Sequence, residues 1–441
     1  MEKSFSKKFT PIEFLKFVSP AIISMVFISL YTIIDGIFVS TLVGSDALAS
    51  INVSFPIINI FCGFGIMMST GGAAIISIKM GENNYDEANN SFSFILLFSI
   101  ITGILFMIIS MFFVEDMCIA LGATDRLLPY CVTYAKISIL SAPFLITKLL
   151  FEYFTRTDGN SNFSLFLSII GGVTNIFLDY VFIKIFNIGI LGAGLATLLG
   201  IIISSIIGLM YFLSNKSTLK IVVPKIDFKL VLDAMINGSS EMVTELSTGF
   251  TTFLFNIVAL RFAKEDGIAA LTIILYAHFL MTSIYLGFSA GVAPLISYNF
   301  GANNYDKLKE TFKYSLKFIA ITSILVFIFS LIFTPFIVGV FVKPSDDVFY
   351  LALEGLKIFS ITFLFVGINI FASGFFTAFH NGKVSAVISF SRAFLFVLIG
   401  IYFLPNLLKL NGLWLTVPFA ELMTIFISIL YIKKYKYKYN Y

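Results

Sequence analysis

The sequence predicts an all-α polytopic membrane protein with twelve transmembrane helices in two pseudo-symmetric six-helix bundles around a central cavity. Three observations support this fold class. The 441 residues are 58% hydrophobic and only 12% charged, with a mean hydropathy of +0.97, whereas a soluble domain carries about 25% charged residues. Apolar runs of about 20 residues, the length of a membrane-crossing helix, recur from end to end. The two halves of the chain also share a sequence repeat.

The apolar runs and the polar breaks between them define the spans in order. We predict spans at residues 12–40, 50–79, 91–114, 128–155, 161–186, 189–213, 230–262, 268–298, 312–341, 348–379, 384–404 and 412–432. Proline interrupts the backbone pairing of a helix and favours a kink. It falls inside five of the spans, at Pro20, Pro56, Pro143, Pro294 and Pro418.

An internal repeat divides the chain. The motif GENNYD at residues 81–86 recurs as GANNYD at residues 301–306, in each case between the second and third spans of its half. A polar stretch, SNKSTLKIVVPKIDFK, separates the halves. We therefore predict an N-terminal lobe at residues 1–213, a cytoplasmic linker at 214–229 and a C-terminal lobe at 230–441. Because six spans is an even number, both lobes run the same way through the membrane, as in transporters built from parallel repeats.

The basic residues indicate the orientation. With the N-terminus inside, the inner loops and ends carry Lys3, Lys7, Lys8, Lys79, Arg156, Lys216, Lys220, Lys225, Lys229, Lys307, Lys309, Lys383 and the KKYKYKY tail. The outer side carries only Arg126, Lys184, Arg261, Lys264, Lys343 and Lys409. The positive-inside rule therefore predicts that both termini are cytoplasmic.

Four polar residues within the spans of the N-terminal lobe suggest a site. Asn175 and Asp179 share one face of span 5, because they lie four residues apart. The rise of a helix places Asp35 and Asp179 at similar depths, with Thr197 in span 6 also in the outer half. Carboxylate, amide and hydroxyl oxygens suit a small hard cation, and buried acids suit a proton. The alternative is that Asp35 and Asp179 only cap or tie helices.

The C-terminal lobe does not duplicate these residues. The position opposite Asp35 is a phenylalanine, and the stretch opposite Asp179 is the apolar LIGIYF. Glu241 and Glu245 instead share one face of span 7, and His278 lies in span 8. These three are candidates for a substrate cavity or a second coupling site. For Glu245 we keep a structural role open. Arg392 in span 11 and Glu421 in span 12 are further polar residues of this lobe, and for Arg392 we expect pairing with an acid.

Several function classes find no support in the sequence. It has no glycine-rich phosphate loop and no catalytic constellation, so we expect neither an ATPase nor another enzyme. The net charge of +4 is spread over short loops, which argues against nucleic acid as a partner. Three cysteines and two histidines show no metal-ligand spacing, so no cofactor is expected. Any transport must then draw its energy from an ion gradient.

Several segments, in order and in phase with the repeat, resemble the multidrug and toxic compound extrusion (MATE) family. They are IIDGIFVSTLVGSDALAS, TRTDGN, NIFLDYVFI, GILGAGLAT and GLWLTVPFAE, and SSEMVTELSTG resembles its bacterial MepA-type branch. The resemblance implies a monomeric exporter in a bacterial cytoplasmic membrane that exchanges bulky, often cationic drugs and dyes for Na⁺ or H⁺ by alternating access. It also implies a hinge in the first span, which we expect at Pro20.

The resemblance further implies that the coupling ion binds at an acid in span 1 and at an Asn, an Asp and a Thr in spans 5 and 6. These roles fall on Asp35, Asn175, Asp179 and Thr197, which would bind Na⁺ if coupling is to sodium. Some family members have a second-lobe site with a Glu in span 7 and an Asp in span 10. Glu245 resembles the former, but residues 369–374 contain no Asp.

The main rival function is a flippase for lipid-linked oligosaccharide or polysaccharide precursors, which shares the two-bundle architecture. It would need a strongly basic central cavity to hold pyrophosphate, whereas the spans of this chain are poor in Arg.

Overall fold

A computed structural model describes residues 10–441, and every regular element within that range is a helix. Lys3, Lys7 and Lys8, which contribute to the predicted orientation, lie outside the described residues. The helices are α1 Pro11–Leu42, α2 Ser45–Gly81, α3 Tyr85–Phe112, α4 Val114–Ala120, α5 Leu128–Thr157, α6 Ser161–Asp179, α7 Gly189–Leu213, α8 Phe228–Gly301, α9 Tyr305–Gly339, α10 Asp347–Phe359, α11 Val366–Ala378, α12 Gly382–Phe390, α13 Phe396–Leu408 and α14 Leu410–Tyr439.

The helices agree with the predicted spans. Among the described residues, ten helices are long and apolar enough to cross a membrane, or eleven if α10 and α11, bent by 42°, are taken as one span. A 3₁₀ turn, Ser360–Leu364, joins this bent pair. The prediction had divided the 74-residue helix α8 into two spans. Counting α8 as two raises the total of eleven to the predicted twelve.

Helix α8 folds back on itself. As a straight helix its 74 residues would extend roughly 110 Å, several times the thickness of a bilayer. Lys264 leaves the helical region, with φ at 52°. Both ends of α8 then pack on α2, since an added Cβ on Gly238 would lie 2.0 Å from the Met67 carbonyl oxygen and one on Gly301 2.1 Å from that of Ile78. Helix α8 is therefore a hairpin of two spans.

The two copies of the repeat motif form the same turn. Asn83 and Asn303 adopt left-handed backbone angles, with φ of 60° and 53°. Asn84 and Asn304 cap the next helices, since each side-chain oxygen accepts from the backbone N–H three residues later, at 3.3 and 3.2 Å. Asparagine suits both roles because its short amide tolerates left-handed angles and caps helices well. The motif is thus a turn that begins α3 and α9.

The two halves of the chain meet closely where these turns lie, which we call the turn end. A Cβ on Gly81 would lie 2.1 Å from the Tyr298 carbonyl oxygen, and one on Gly301 would lie 2.1 Å from that of Ile78. The two contacts are reciprocal, because Gly81 and Gly301 are equivalent positions of the repeat. Only glycine permits this backbone approach. The turn end is therefore tightly closed.

Helices α6 and α12 each run into a π-helical turn. Tyr180–Ile185 follows Asp179 at the end of α6, and Ser391–Leu395 follows α12 and contains Arg392. Such turns widen a helix locally and are frequent at functional sites. A π-helical turn therefore lies next to Asp179 in the N-terminal half and contains Arg392 in the C-terminal half.

The last helix is longer than predicted. The sequence placed the end of span 12 at residue 432, whereas α14 continues to Tyr439. Tyr435 and Tyr439, one turn apart, pack on the rings of Phe376 and Phe379 at 5.6 and 4.4 Å. Hydropathy ends the span at the first lysines, but these aromatic contacts hold the next two turns in the helix.

Candidate functional site

Asp35 in α1, Asn175 and Asp179 in α6 and Thr197 in α7 lie together among three helices. The Asn175 amide donates a hydrogen bond to the Thr197 hydroxyl at 3.1 Å. The carboxyl groups of Asp35 and Asp179 adjoin, close enough that a proton held by one would bond to the other. Asn175 and Asp179 face the same way from α6, one turn apart. The four predicted residues therefore form one cluster, which we call the first site.

Four side-chain oxygens of the first site receive no hydrogen bond from the described residues. Asp179 is fully buried and Asn175 is 4% exposed. Among the described residues, no donor reaches Asp35 Oδ1, either carboxyl oxygen of Asp179 or the side-chain oxygen of Asn175. Burying a carboxylate without a partner is costly. The arrangement therefore suits an added positive charge, either a small cation held by the oxygens or a proton shared between the acids.

The ligand set limits which cation fits. Within residues 10–441, no group of three or more His, Cys, Asp or Glu side chains is arranged to hold a metal. The first site offers oxygen only, from two carboxyls, one amide and one hydroxyl. Oxygen ligands favour hard cations, whereas transition metals favour nitrogen and sulfur. A small hard cation or a proton matches this site.

A tyrosine from the other half of the chain lies close to the first site. The Tyr276 hydroxyl of α8 would be 3.4 Å from a Cβ added to Gly36, the residue after Asp35. Tyr276 also interacts electrostatically with Asp35. A movement of α1 relative to α8 would therefore change the surroundings of Asp35.

Glu241 and Glu245 lie on the first segment of α8, one turn apart and half-buried. Cβ of Glu245 would be 3.3 Å from a Cβ added to Gly63 of α2, so Glu245 faces the N-terminal half. Glu241 interacts electrostatically with both Glu245 and Arg392. The two glutamates therefore place carboxyl groups between the halves.

His278 stands apart from the two glutamates. Its ring lies 5.1 Å from the ring of Phe359 and 6.0 Å from that of Phe363. Its Nδ1 is buried and has no partner among the described residues. No hydrogen bond or ion pair between described residues joins it to Glu245. The structure thus brings Glu241 and Glu245 together but leaves His278 in an aromatic pocket.

Arg392 pairs with an acid, as expected. Its Nη1 lies 3.6 Å from Oε1 of Glu421. The other carboxyl oxygen of Glu421 accepts from the Asn369 amide at 2.7 Å, and the Ser428 hydroxyl donates to the Asn369 oxygen at 2.8 Å. Helix α11 contributes Asn369 where the resemblance would require an Asp. This group, which we call the Arg392 cluster, thus contains a single acid, on α14.

The sequence analysis missed a buried ion pair. Lys148 and Glu152 lie one turn apart on α5, with Nζ and Oε1 3.5 Å apart and side chains 8% and 2% exposed. Ser168 of α6 donates to the same Glu152 oxygen at 3.0 Å, and Ser24 of α1 donates to Ser168 at 2.6 Å. The available signal was two opposite charges four residues apart inside an apolar span.

Comparisons with known proteins agree with one another. The sequence profile of the MatE family matches residues 20–181 and 242–403. The chain is 26% identical to the multidrug export protein MepA of Staphylococcus saprophyticus and 24% identical to MepA of Staphylococcus aureus, each over 91% of this chain and 87% of the relative. It also matches an outward-facing structure described as a multidrug resistance MATE family transporter of the MOP superfamily. The TM-score is 0.90 and the identity 21%, over 96% of this chain and 94% of the other.

Proposed function

The chain belongs to the MatE family, and from this premise we propose that it is a multidrug efflux antiporter coupled to Na⁺ or H⁺. The membership confirms the predicted resemblance and the prediction of a multi-pass membrane transporter rather than an enzyme. Similarity to the MepA export proteins supports bulky, often cationic small molecules as cargo. The chain works as a monomer in the bacterial cytoplasmic membrane.

One observation carries the proposal. Asp35, Asn175 and Asp179 present buried oxygens that no donor among the described residues reaches. A structural tie would consume these oxygens in hydrogen bonds, as Glu152 and Glu421 do elsewhere in the chain. The first site instead keeps acceptor oxygens free, and a bound positive charge would satisfy them. Coupling to Na⁺ or H⁺ supplies this charge from outside in each cycle.

The orientation of the chain supports an outward-facing state. The positive-inside distribution puts both termini, the linker at 214–229 and the turn end in the cytoplasm. The turn end is tightly closed around Gly81 and Gly301. A transporter closed at its cytoplasmic end opens to the outside. This is the state in which the external coupling ion reaches the first site.

The proposed cycle exchanges drug for ion. Residues 1–213 and 230–441 act as two lobes, which take up drug between them while open to the cytoplasm and then rock outward. An ion binding at Asp35 and Asp179 shifts α1, hinged at Pro20, and reduces the drug site beside Glu241 and Glu245. Coupling requires that the ion binds the two states with different affinity. One charge moving through 100 mV supplies about 2.3 kcal/mol, enough for roughly fifty-fold accumulation.

The flippase rival has less support. A pyrophosphate cargo needs several unpaired cations between the lobes. The side chains described between them include the half-buried carboxyls of Glu241 and Glu245. Lys148 is already paired with Glu152. Acidic groups there favour cationic cargo instead.

The deciding experiment is ethidium efflux in inverted membrane vesicles under separately imposed proton and Na⁺ gradients. We expect one gradient to drive ethidium transport and the other to have no effect. Asp179→Ala, which removes one acid of the first site, should abolish the driven transport. Asp116→Ala, an exposed acid in the short helix α4, is the matched control. Equal transport with and without both gradients, or driven transport by Asp179→Ala, would contradict the proposal.

A further inference from the structure

The two halves carry polar clusters on corresponding helices. Helix α6 of the first site begins after Asn160, and α12 begins after Asn381, an offset close to that of the repeat. Each of these helices runs into a π-helical turn. Helix α7, which carries Thr197, corresponds in the same way to α14, which carries Glu421. The first site and the Arg392 cluster therefore lie on corresponding helices, although their residues do not occupy corresponding positions of the repeat.

The first site and the Arg392 cluster differ in their balance of charge. The first site has two acids, and among the described residues no donor reaches Asp35 Oδ1, the Asn175 oxygen or either carboxyl oxygen of Asp179. The Arg392 cluster has one acid and its own cation. Both carboxyl oxygens of Glu421 are engaged, one by Arg392 Nη1 at 3.6 Å and the other by Asn369 at 2.7 Å. Glu421 is 3% exposed, so water does not replace these partners.

Two other titratable side chains lie near Arg392. Glu241 and His278 both interact electrostatically with Arg392. Among the described residues, Arg392 has an ion-pair contact only with Glu421. The Arg392 side chain itself is 13% exposed. A mobile cation approaching Glu421 would meet a fixed like charge within 4 Å, which strongly disfavours its binding.

We propose that Arg392 is the resident cation of the C-terminal half and keeps Glu421 closed to mobile ions, so that ion coupling is confined to the first site. This assignment rests on the proposed function, because it concerns how many ions the transporter binds. It explains how α14 can carry a buried acid, Glu421, without forming a second coupling site. Arg392 is in this proposal a specificity-determining residue for ion stoichiometry.

The test removes the resident cation and offers a replacement. In purified Arg392→Ala, the buried Glu421 carboxylate loses its partner and should take up small cations. We expect low millimolar methylguanidinium to raise the Tm of Arg392→Ala by several degrees in a saturable manner, with no effect on wild type. Trp414, the only tryptophan, lies two turns before Glu421 on α14. Its fluorescence should change over the same concentration range.

Three further variants separate the outcomes. Arg392→Lys keeps the charge and should not respond to methylguanidinium. In Arg392→Ala/Glu421→Gln no acid remains, so the response should vanish. Asp179→Asn/Arg392→Ala has lost the first site but should still respond, so a failure of the proposed function leaves this test intact. Absence of a saturable response in Arg392→Ala, or an equal response in the Glu421→Gln double variant, would overturn the assignment.

A second measurement applies if Arg392→Ala does not fold. Glu421→Gln alone leaves Arg392 buried without its acid and should lower Tm by several degrees. Removing both charges in Arg392→Ala/Glu421→Gln should restore part of this loss, because no unpaired charge remains. Wild-type stability of Glu421→Gln would show that Arg392 is not the partner of Glu421, and would overturn the assignment.

Discussion

Asp35 and Asp179 come from distant parts of the sequence, and their adjoining carboxyls are close enough to share a single charge. Two neighbouring buried carboxylates repel each other, so binding a cation or proton relieves both repulsion and burial. The same two residues are poorly suited to joining helices, because no donor among the described residues reaches Asp35 Oδ1 or either carboxyl oxygen of Asp179.

Asp35→Asn should abolish drug resistance while the protein remains in the membrane. The amide retains the shape of the side chain but cannot carry the charge that the coupling ion neutralises. The measurement is the minimal inhibitory concentration of ethidium in cells, with membrane abundance checked by immunoblot. Asp46→Asn is the control, since Asp46 pairs with the exposed Arg126 and lies outside the first site. Full resistance with Asp35→Asn would reject its role in coupling.

Glu245→Gln should change the range of exported drugs rather than abolish export. Its carboxyl faces α2 at the seam between the halves, where a cationic drug would gain from it. We expect several-fold weaker resistance to dicationic compounds than to neutral ones, measured as inhibitory concentrations over a panel. Glu265→Gln, an exposed acid in the same helix, is the control. An unchanged profile would assign Glu245 a structural role only.

At the scale of elements, a chain of buried polar contacts links α1, α6 and α5. It runs from Ser24 through Ser168 to Glu152 and Lys148. Helix α1 also carries Pro20 and Asp35, so this chain joins the proposed moving helix to the rest of its bundle. A large shift of α1 relative to α6 would therefore break the Ser24–Ser168 hydrogen bond.

Breaking the buried pair should cost more than deleting it. Glu152→Gln leaves Lys148 buried without its acid, a loss of about 3–5 kcal/mol in comparable cases. Lys148→Met/Glu152→Leu removes both charges and should be markedly more stable than Glu152→Gln. Thermal unfolding of the purified protein in detergent gives the comparison.

An exposed pair provides the control for this prediction. Lys79 and Glu87 lie 3.3 Å apart, but the Glu87 side chain is 61% exposed. Exposed pairs contribute only about 0–1 kcal/mol, so Glu87→Gln should leave Tm nearly unchanged. If Glu152→Gln lowered Tm as little as Glu87→Gln, the Lys148–Glu152 pair would contribute no more to stability than an exposed pair.

At the scale of the whole molecule, closure at the turn end depends on reciprocal glycine contacts. A Cβ on Gly301 would approach the Ile78 carbonyl oxygen to 2.1 Å, less than any real contact allows. Backbone atoms cannot move aside as a side chain can. The two halves must therefore separate slightly to accept a larger residue.

Gly301→Ala should shift the transporter toward the state open at the turn end. Spin labels at positions 82 and 302, both exposed and equivalent in the repeat, report the separation by electron paramagnetic resonance. Cys62, Cys118 and Cys131 would first be replaced. We expect a longer, broader distance distribution with Gly301→Ala and reduced export. Gly339→Ala is the control, since an added Cβ there meets nothing within 4 Å. Identical distributions would rule out a gate at Gly301.

Much of the fold was readable from the sequence because the membrane imposes a simple rule. Every crossing segment must satisfy its own backbone hydrogen bonds, so long apolar runs become helices. The twelve spans and the break in α8 followed from this rule, whereas the repeat was read from the matching motifs GENNYD and GANNYD. The end of α14 did not, because aromatic packing of Tyr435 and Tyr439 outweighs the lysines beside them.

The candidate first site was predicted as a set of residues, since acids inside apolar spans are rare and conspicuous. The Lys148–Glu152 pair was not predicted, although its two charges lie one turn apart in a single span. Its serine partners come from α1 and α6, and hydroxyls carry no signal in a hydropathy pattern.

The sequence by itself determined the membrane class, the helices, the repeat turns and the four polar residues of the first site. These depend on local physics, namely burial of apolar segments in lipid and the cost of an acid within them. Only the tertiary structure decided which charges are satisfied and which are not. Among the described residues no donor reaches Asp179, whereas Glu421 has two partners, because hydrogen bonds and ion pairs depend on distances between helices far apart in the chain.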